Sequence, residues 1–90
     1  MSTASPLETT LLSVLEALGT AKSASPTDVA RAFAQDDSDP EAWRRHLSAV
    51  RRAAIRLAEA GQIEILRKGK PVPPADLRGV IRLRLRADGA

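Results

Sequence analysis

Cysteine is absent from these 90 residues, which excludes a disulfide framework and a thiolate metal site. Tyrosine is absent too, and the aromatics reduce to Trp43 and Phe33, both placed by their spacing in a core. Without exposed aromatics there is no stacking platform for single-stranded nucleic acid. The lone histidine, His46, sits beside an apolar helix face and reads as a packing residue rather than a base or ligand. No nucleophile–base pair, phosphate-cradling glycine loop or metal-ligand spacing occurs, so the expectation is a protein that is not an enzyme and holds no cofactor or metal. No window approaches the ~20 apolar residues that span a bilayer, and the first residues lack the charged flank and apolar stretch of a signal peptide. A soluble, cytoplasmic protein without a membrane partner is expected.

What is present fills one domain, residues 1–90, with its core over about 5–86 and frayed ends. Hydrophobic residues make up 43% of the chain. Alanine is abundant among them, so leucine, isoleucine and valine must supply most of the burial, at about 25 cal/mol per Å².

Charge is unevenly spread. Residues 1–42 hold two basic and seven acidic side chains, whereas residues 43–90 hold twelve basic and four acidic, for +3 overall. This asymmetry points to a polyanion-facing second half. An arginine-rich composition alone gives the bland explanation, a solvated basic face. The cluster Asp36, Asp37, Asp39 and Glu41 reads as helix-start capping and solvation rather than a cation site.

Three segments pair a capping residue with proline and an early acid: Ser5-Pro6-Leu7-Glu8, Ser25-Pro26-Thr27-Asp28 and Asp39-Pro40-Glu41. Proline at the first helical position loses no hydrogen bond, and the acid favours the positive end of the helix dipole. The first helix is expected over 6–18, with Leu7, Leu11, Leu15 and Leu18 on one face and Gly19 as its stop. A short second helix over 26–35 buries Val29, Ala30 and Phe33. A long third helix over 40–60 carries Trp43, Leu47, Val50, Ala54 and Leu57 as its inner stripe and ends at Gly61.

After Gly61 the period changes from helical to two. Ile63 and Ile65, then Ile81, Leu83 and Leu85, alternate with polar residues as half-buried antiparallel strands do. Glu64 lies on the outer face, within reach of Arg82 or Arg84. The intervening stretch, 68–79, is too long for a tight turn, and its three prolines argue against regular pairing. A stiff loop projecting from the sheet is expected, with a short third strand near 21–25.

Three helices followed by a hairpin with a basic loop is the element order of a winged helix-turn-helix, an α+β fold. The combination Ser25-Pro26-x-x-Val29-Ala30-Arg31, Trp43-Arg44, Val50-Arg51, Gly61-x-Ile63-x-Ile65, Lys68-Gly69-Lys70-Pro71-Val72 and Gly79-x-Ile81-Arg82-Leu83 resembles domain-of-unknown-function family 3253, over roughly residues 8–86. The resemblance implies a winged-helix fold and a bacterial source, and brings no established activity. Pro73-Pro74 departs from the Asp-Pro expected there, which bears on the shape of the loop.

Such a fold offers a third helix to the major groove and a wing to a neighbouring groove or the phosphates. On the expected third helix Arg45, Arg52 and Arg56 share an outward strip with Ser48 and Ala49, and Arg44 and Arg51 flank it. Arg67, Lys68, Lys70 and Arg78 make the loop basic. Arginine's planar fork suits guanine edges and phosphate, but no Asn or Gln is placed to read adenine. The expectation is therefore double-stranded DNA binding, phosphate-dominated and weakly selective, as in a small transcriptional regulator. The competing expectation is an interaction module for an acidic protein partner or a homodimer.

Overall fold

The computed structural model describes residues 5–87; the fraying expected at the ends falls largely outside these residues. Its elements are helix α1 (Pro6–Leu18), helix α2 (Pro26–Phe33), a 3-10 turn (Ala42–His46), helix α3 (Leu47–Glu59), strand β1 (Ile63–Arg67), strand β2 (Lys70–Val72), a short 3-10 turn (Pro74–Asp76) and strand β3 (Arg82–Leu85). Three helices and a three-stranded antiparallel sheet make an α+β arrangement consistent with a winged helix.

The first two helix starts form as expected. At α1 the Ser5 hydroxyl accepts the Glu8 N–H at 3.1 Å, and the Glu8 carboxylate accepts the Ser5 N–H at 2.9 Å. Ser25 and Asp28 repeat this reciprocal box at α2, at 3.1 Å in both directions. Each box satisfies two N–H groups that a bare helix end would orphan.

The third start behaves differently. Asp37 accepts the Asp39 N–H and Asp39 accepts the Glu41 N–H, so both carboxylates close turns two residues ahead. The backbone then runs through i to i+3 bonds, Ala42 N–H to Asp39 and Arg44 N–H to Glu41. Regular α-helix begins only at Leu47, not at Pro40: the Asp39 side chain caps the Glu41 N–H as a helix start does, but the turn that follows, Ala42–His46, is 3-10. Helix α2 likewise stops at Phe33, two residues early, and Phe33 is 36% exposed rather than buried, its ring edge-on to His46 at 4.9 Å. His46 packs there as expected.

Leu7, Leu11 and Leu15 of α1, Val29 and Ala30 of α2, and Val50, Ala53, Ala54 and Leu57 of α3 meet Ile63, Ile65, Ile81 and Leu83 in one core. Among the described residues no charged or polar residue is buried, so all the charge lies at the surface.

In the sheet β1 is central, flanked by β2 and β3. Ile63 faces Leu85 and Ile65 faces Leu83, which places the alternating apolar residues on the helix side. Leu83 exchanges both backbone hydrogen bonds with Ala24, at 2.8 and 2.7 Å, so the strand expected near 21–25 is a one-residue bridge.

The third full strand comes instead from the loop. Lys68 and Gly69, at φ 54° and 79°, turn the chain tightly, as the two central residues of a type I′ turn do. Arg67 pairs with Lys70, Leu66 with Pro71 and Ile65 with Val72. In a two-residue hairpin the pair next to the closing pair makes no backbone hydrogen bonds. Pro71 occupies that position on an edge strand, where a missing N–H costs nothing. The expected projecting loop is thus corrected: its first half folds back along β1.

Candidate nucleic-acid interface

Eleven residues carry the sequence-based interface, and the structure divides them. Among the described residues, intramolecular ion pairs neutralise much of the basic surface. Arg44 pairs with Glu41 across the 3-10 turn, its guanidinium also lying 4.9 Å from the Trp43 ring centroid. Arg45 pairs with Asp37 at 2.6 Å. Because both arginines lie on the 3-10 turn, the α-helical wheel that aligned Arg45 with Arg52 and Arg56 does not extend to it. Arg56 reaches across to α1, its Nε donating to Glu8 Oε2 at 3.1 Å.

In the loop, Asp76 holds two cations. Arg67 Nη2 donates to Asp76 Oδ2 at 2.7 Å and Nη1 to the Asp76 carbonyl at 3.2 Å, while Arg78 Nε lies 2.9 Å from Oδ1. Arg84 takes Glu64 at 2.8 Å, one of the two partners expected for it.

The titration behaviour follows these contacts. Hydrogen bonding from Arg67 holds the Asp76 carboxyl below its ordinary value and raises Arg67 in return. The Asp39 N–H lowers Asp37, with Arg45 adding to it. The Ser5 N–H lowers Glu8, with Arg56 adding to it. In each case hydrogen bonds to the charged form outweigh the opposing effect of desolvation.

What remains is a smaller cationic set. Arg52 is exposed on α3 beside Ser48, one turn apart, and Ala49 is half-buried. Arg52, Lys68 and Lys70 have no ion-pair partner among the described residues, and their positive charge is uncompensated. Arg51 bonds only to a neutral group, its Nη2 donating to the Gly79 carbonyl at 3.4 Å. Arg82 does likewise, with Nε 2.7 Å from Ser23 Oγ and Nη2 2.8 Å from the Ser23 carbonyl.

Three of these cations surround one point. A cleft of about 220 Å³ between the start of α2 and the run 79–81 is lined by Ser25, Thr27, Arg51 and Val80. A groove of about 560 Å³ on its other side is lined by Ser23, Leu66, Lys68, Val80 and Arg82. Val80 belongs to both and is 88% exposed. The surface therefore runs from α3 through Val80 to the hairpin tip.

Arg82 and Val80 are the residues that sequence reasoning missed. The signal for Arg82 was present: Arg82 and Arg84 share the outer face with a single acid, Glu64, so one arginine had to be left over. Val80 had only its place one residue ahead of the regular alternation.

Among the described residues no group of three acidic or histidine side chains is arranged to hold a metal ion, and no helix is long and apolar enough to cross a membrane. A search of curated proteins gives no match, so no activity is carried over from a characterised relative. Its sequence matches a known family from residue 4 to residue 86, and the chain belongs to that family, described as "Protein of unknown function (DUF3253)".

Proposed function

We propose that this domain binds double-stranded DNA, with α3 facing the major groove and the Val80 surface gripping the backbone on either side. Its role is recognition rather than catalysis. One observation carries the reading. Five cations without a counter-charge among the described residues, Arg51, Arg52, Lys68, Lys70 and Arg82, gather on α3, the hairpin tip and β3, whereas Arg44, Arg45, Arg56, Arg67, Arg78 and Arg84 are neutralised within the chain. Apart from these, Arg31 on α2 lies 4.9 Å from the Trp43 ring centroid and Lys22 precedes α2. Phosphates supply the missing counter-charge. In this reading the exposed Ser48 and Arg52 of α3 meet base edges, the exposed Arg56 being held by Glu8. So few base-reading groups imply weak sequence selectivity.

Fluorescence anisotropy with a short labelled duplex, titrated over salt, tests this. About five phosphate contacts give a slope of log K against log salt near −4.5. The double change Arg51→Glu with Lys68→Glu should abolish binding with the thermal midpoint retained. Arg44→Glu with Arg45→Glu should leave it nearly intact, because those guanidinium groups are already occupied. Absence of binding at low salt, or equal losses in both variants, overturns the proposal. The exposed Val80 also suits an acidic protein surface or a second copy of the chain; concentration-dependent sedimentation without duplex binding would favour that reading.

A further inference from the structure

Phosphate contact leaves one feature of this surface unexplained, the apolar lining of its larger groove. Along β1, Ile63 and Ile65 face the core, while Glu64 and Leu66 face the other way. Leu66 is nevertheless only 5% exposed and lies outside the core cluster, forming the groove floor. Val80 forms a wall and is 88% exposed, an apolar side chain standing in water. Gly69 and Gly79, both at positive φ, contribute no side chain, so the space beside them stays open. The volume, about 560 Å³, lies within the range of small-ligand sites.

The rim is cationic. Ser23 anchors the Arg82 guanidinium through two hydrogen bonds, at 2.7 and 2.8 Å, so its charge is aimed but not neutralised. Lys68 stands beside it without a partner among the described residues. An added β-strand is a poor occupant, because Lys70 and Pro71 blunt the neighbouring edge. A neutral apolar molecule would leave both cations unanswered. The complementary ligand has an apolar body and one anionic head.

We propose that this groove binds an apolar monocarboxylate, a medium-chain alkyl or aryl-alkyl acid. Its carboxylate sits on Lys68 and Arg82, and its body covers Leu66 and Val80. Burying the exposed face of Val80 drives the apolar part, and the charged hydrogen bonds set the sign of the head group. The same cations serve the proposed phosphate contacts, so the acid displaces duplex; that clause rests on the DNA reading, whereas the ligand site does not.

Amide-resolved NMR titration of the full chain with octanoate, octanamide and octyltrimethylammonium tests the site. Octanoate should shift the amides of Leu66, Lys68, Gly69, Gly79, Val80 and Arg82 to saturation. Octanamide should bind about tenfold more weakly or worse, the loss of one charge-assisted hydrogen bond, and the cation should not bind. Arg82→Gln should reproduce the octanamide loss. Val80→Asp should abolish octanoate binding at an unchanged thermal midpoint. Equal affinity for acid and amide, shifts centred elsewhere, or wild-type octanoate binding by V80D each overturn the proposal. Octanoate binding by a protein that fails to bind duplex supports the ligand site and removes only the DNA reading.

Discussion

Glu8 performs two tasks with one carboxylate, and their separation gives a sharp test of how α1 is tied to α3. Oε1 closes the capping box on the Ser5 N–H, and Oε2 receives Arg56 from 48 residues away. The Glu8 side chain is 13% exposed and that of Arg56 is 52% exposed, so the pair is only partly screened. Losing the cap should cost about 1 kcal/mol, and losing a half-exposed ion pair up to about 1 kcal/mol. Glu8→Ala removes both, up to about 2 kcal/mol, and should lower the thermal midpoint by about 8–16 °C, at roughly 4–8 °C per kcal/mol for a domain of this size. Glu8→Gln keeps a capping oxygen but loses the charge, so about 3–6 °C is expected. Arg56→Ala should match Glu8→Gln, and the double variant should cost little more than either.

The pH dependence adds a second check. Glu8 titrates below its ordinary value of 4.5 in the folded protein. Its stabilisation is therefore complete above the unfolded value and disappears as pH falls through the lowered one. Differential scanning calorimetry should show the gap between wild type and E8Q closing in that acid range. Strictly additive costs in E8Q and R56A, or a gap that persists at low pH, would refute the coupling. Duplex binding by R56A close to wild type would further separate Arg56 from the interface.

Three other outcomes follow from the same structure. Lys68→Asn places the residue favoured at the first position of such a turn where lysine now holds φ 54°, so the melting point should rise by a few degrees. The same change should flatten the salt slope of duplex binding by about one unit. Asp76→Asn releases Arg67 and Arg78, and anisotropy should report tighter duplex binding with a steeper salt dependence. Leu11→Ala empties a fully buried position between the helices, at a cost of about 3–5 kcal/mol measurable by urea denaturation.

Much of the fold is legible in short stretches of sequence. Ser5 through Glu8 and Ser25 through Asp28 form their boxes because every participating atom lies within four residues. The alternation of Ile63 and Ile65 with polar neighbours marks the inner sheet face for the same local reason. Asp39-Pro40-Glu41 carries the same helix-start pattern, and Asp39 does cap the Glu41 N–H, yet the turn that follows is 3-10, a difference the local pattern does not encode. The hairpin at Lys68-Gly69 was concealed by prolines, whose effect depends on which edge and which pair of the ladder they occupy.

Composition and periodicity by themselves determined the helical and sheet halves, the core-facing leucines and isoleucines, and the concentration of cations in the second half of the chain. They could not say which cations are available. Arg56 and Glu8 are distant in sequence, as are Arg82 and Ser23, and only packing brings each pair within hydrogen-bond reach. Electrostatic neutralisation acts over a few ångströms, so the tertiary structure alone decided that Arg45, Arg56 and Arg67 face acids while Arg51, Lys68 and Arg82 surround Val80 with their charge uncompensated.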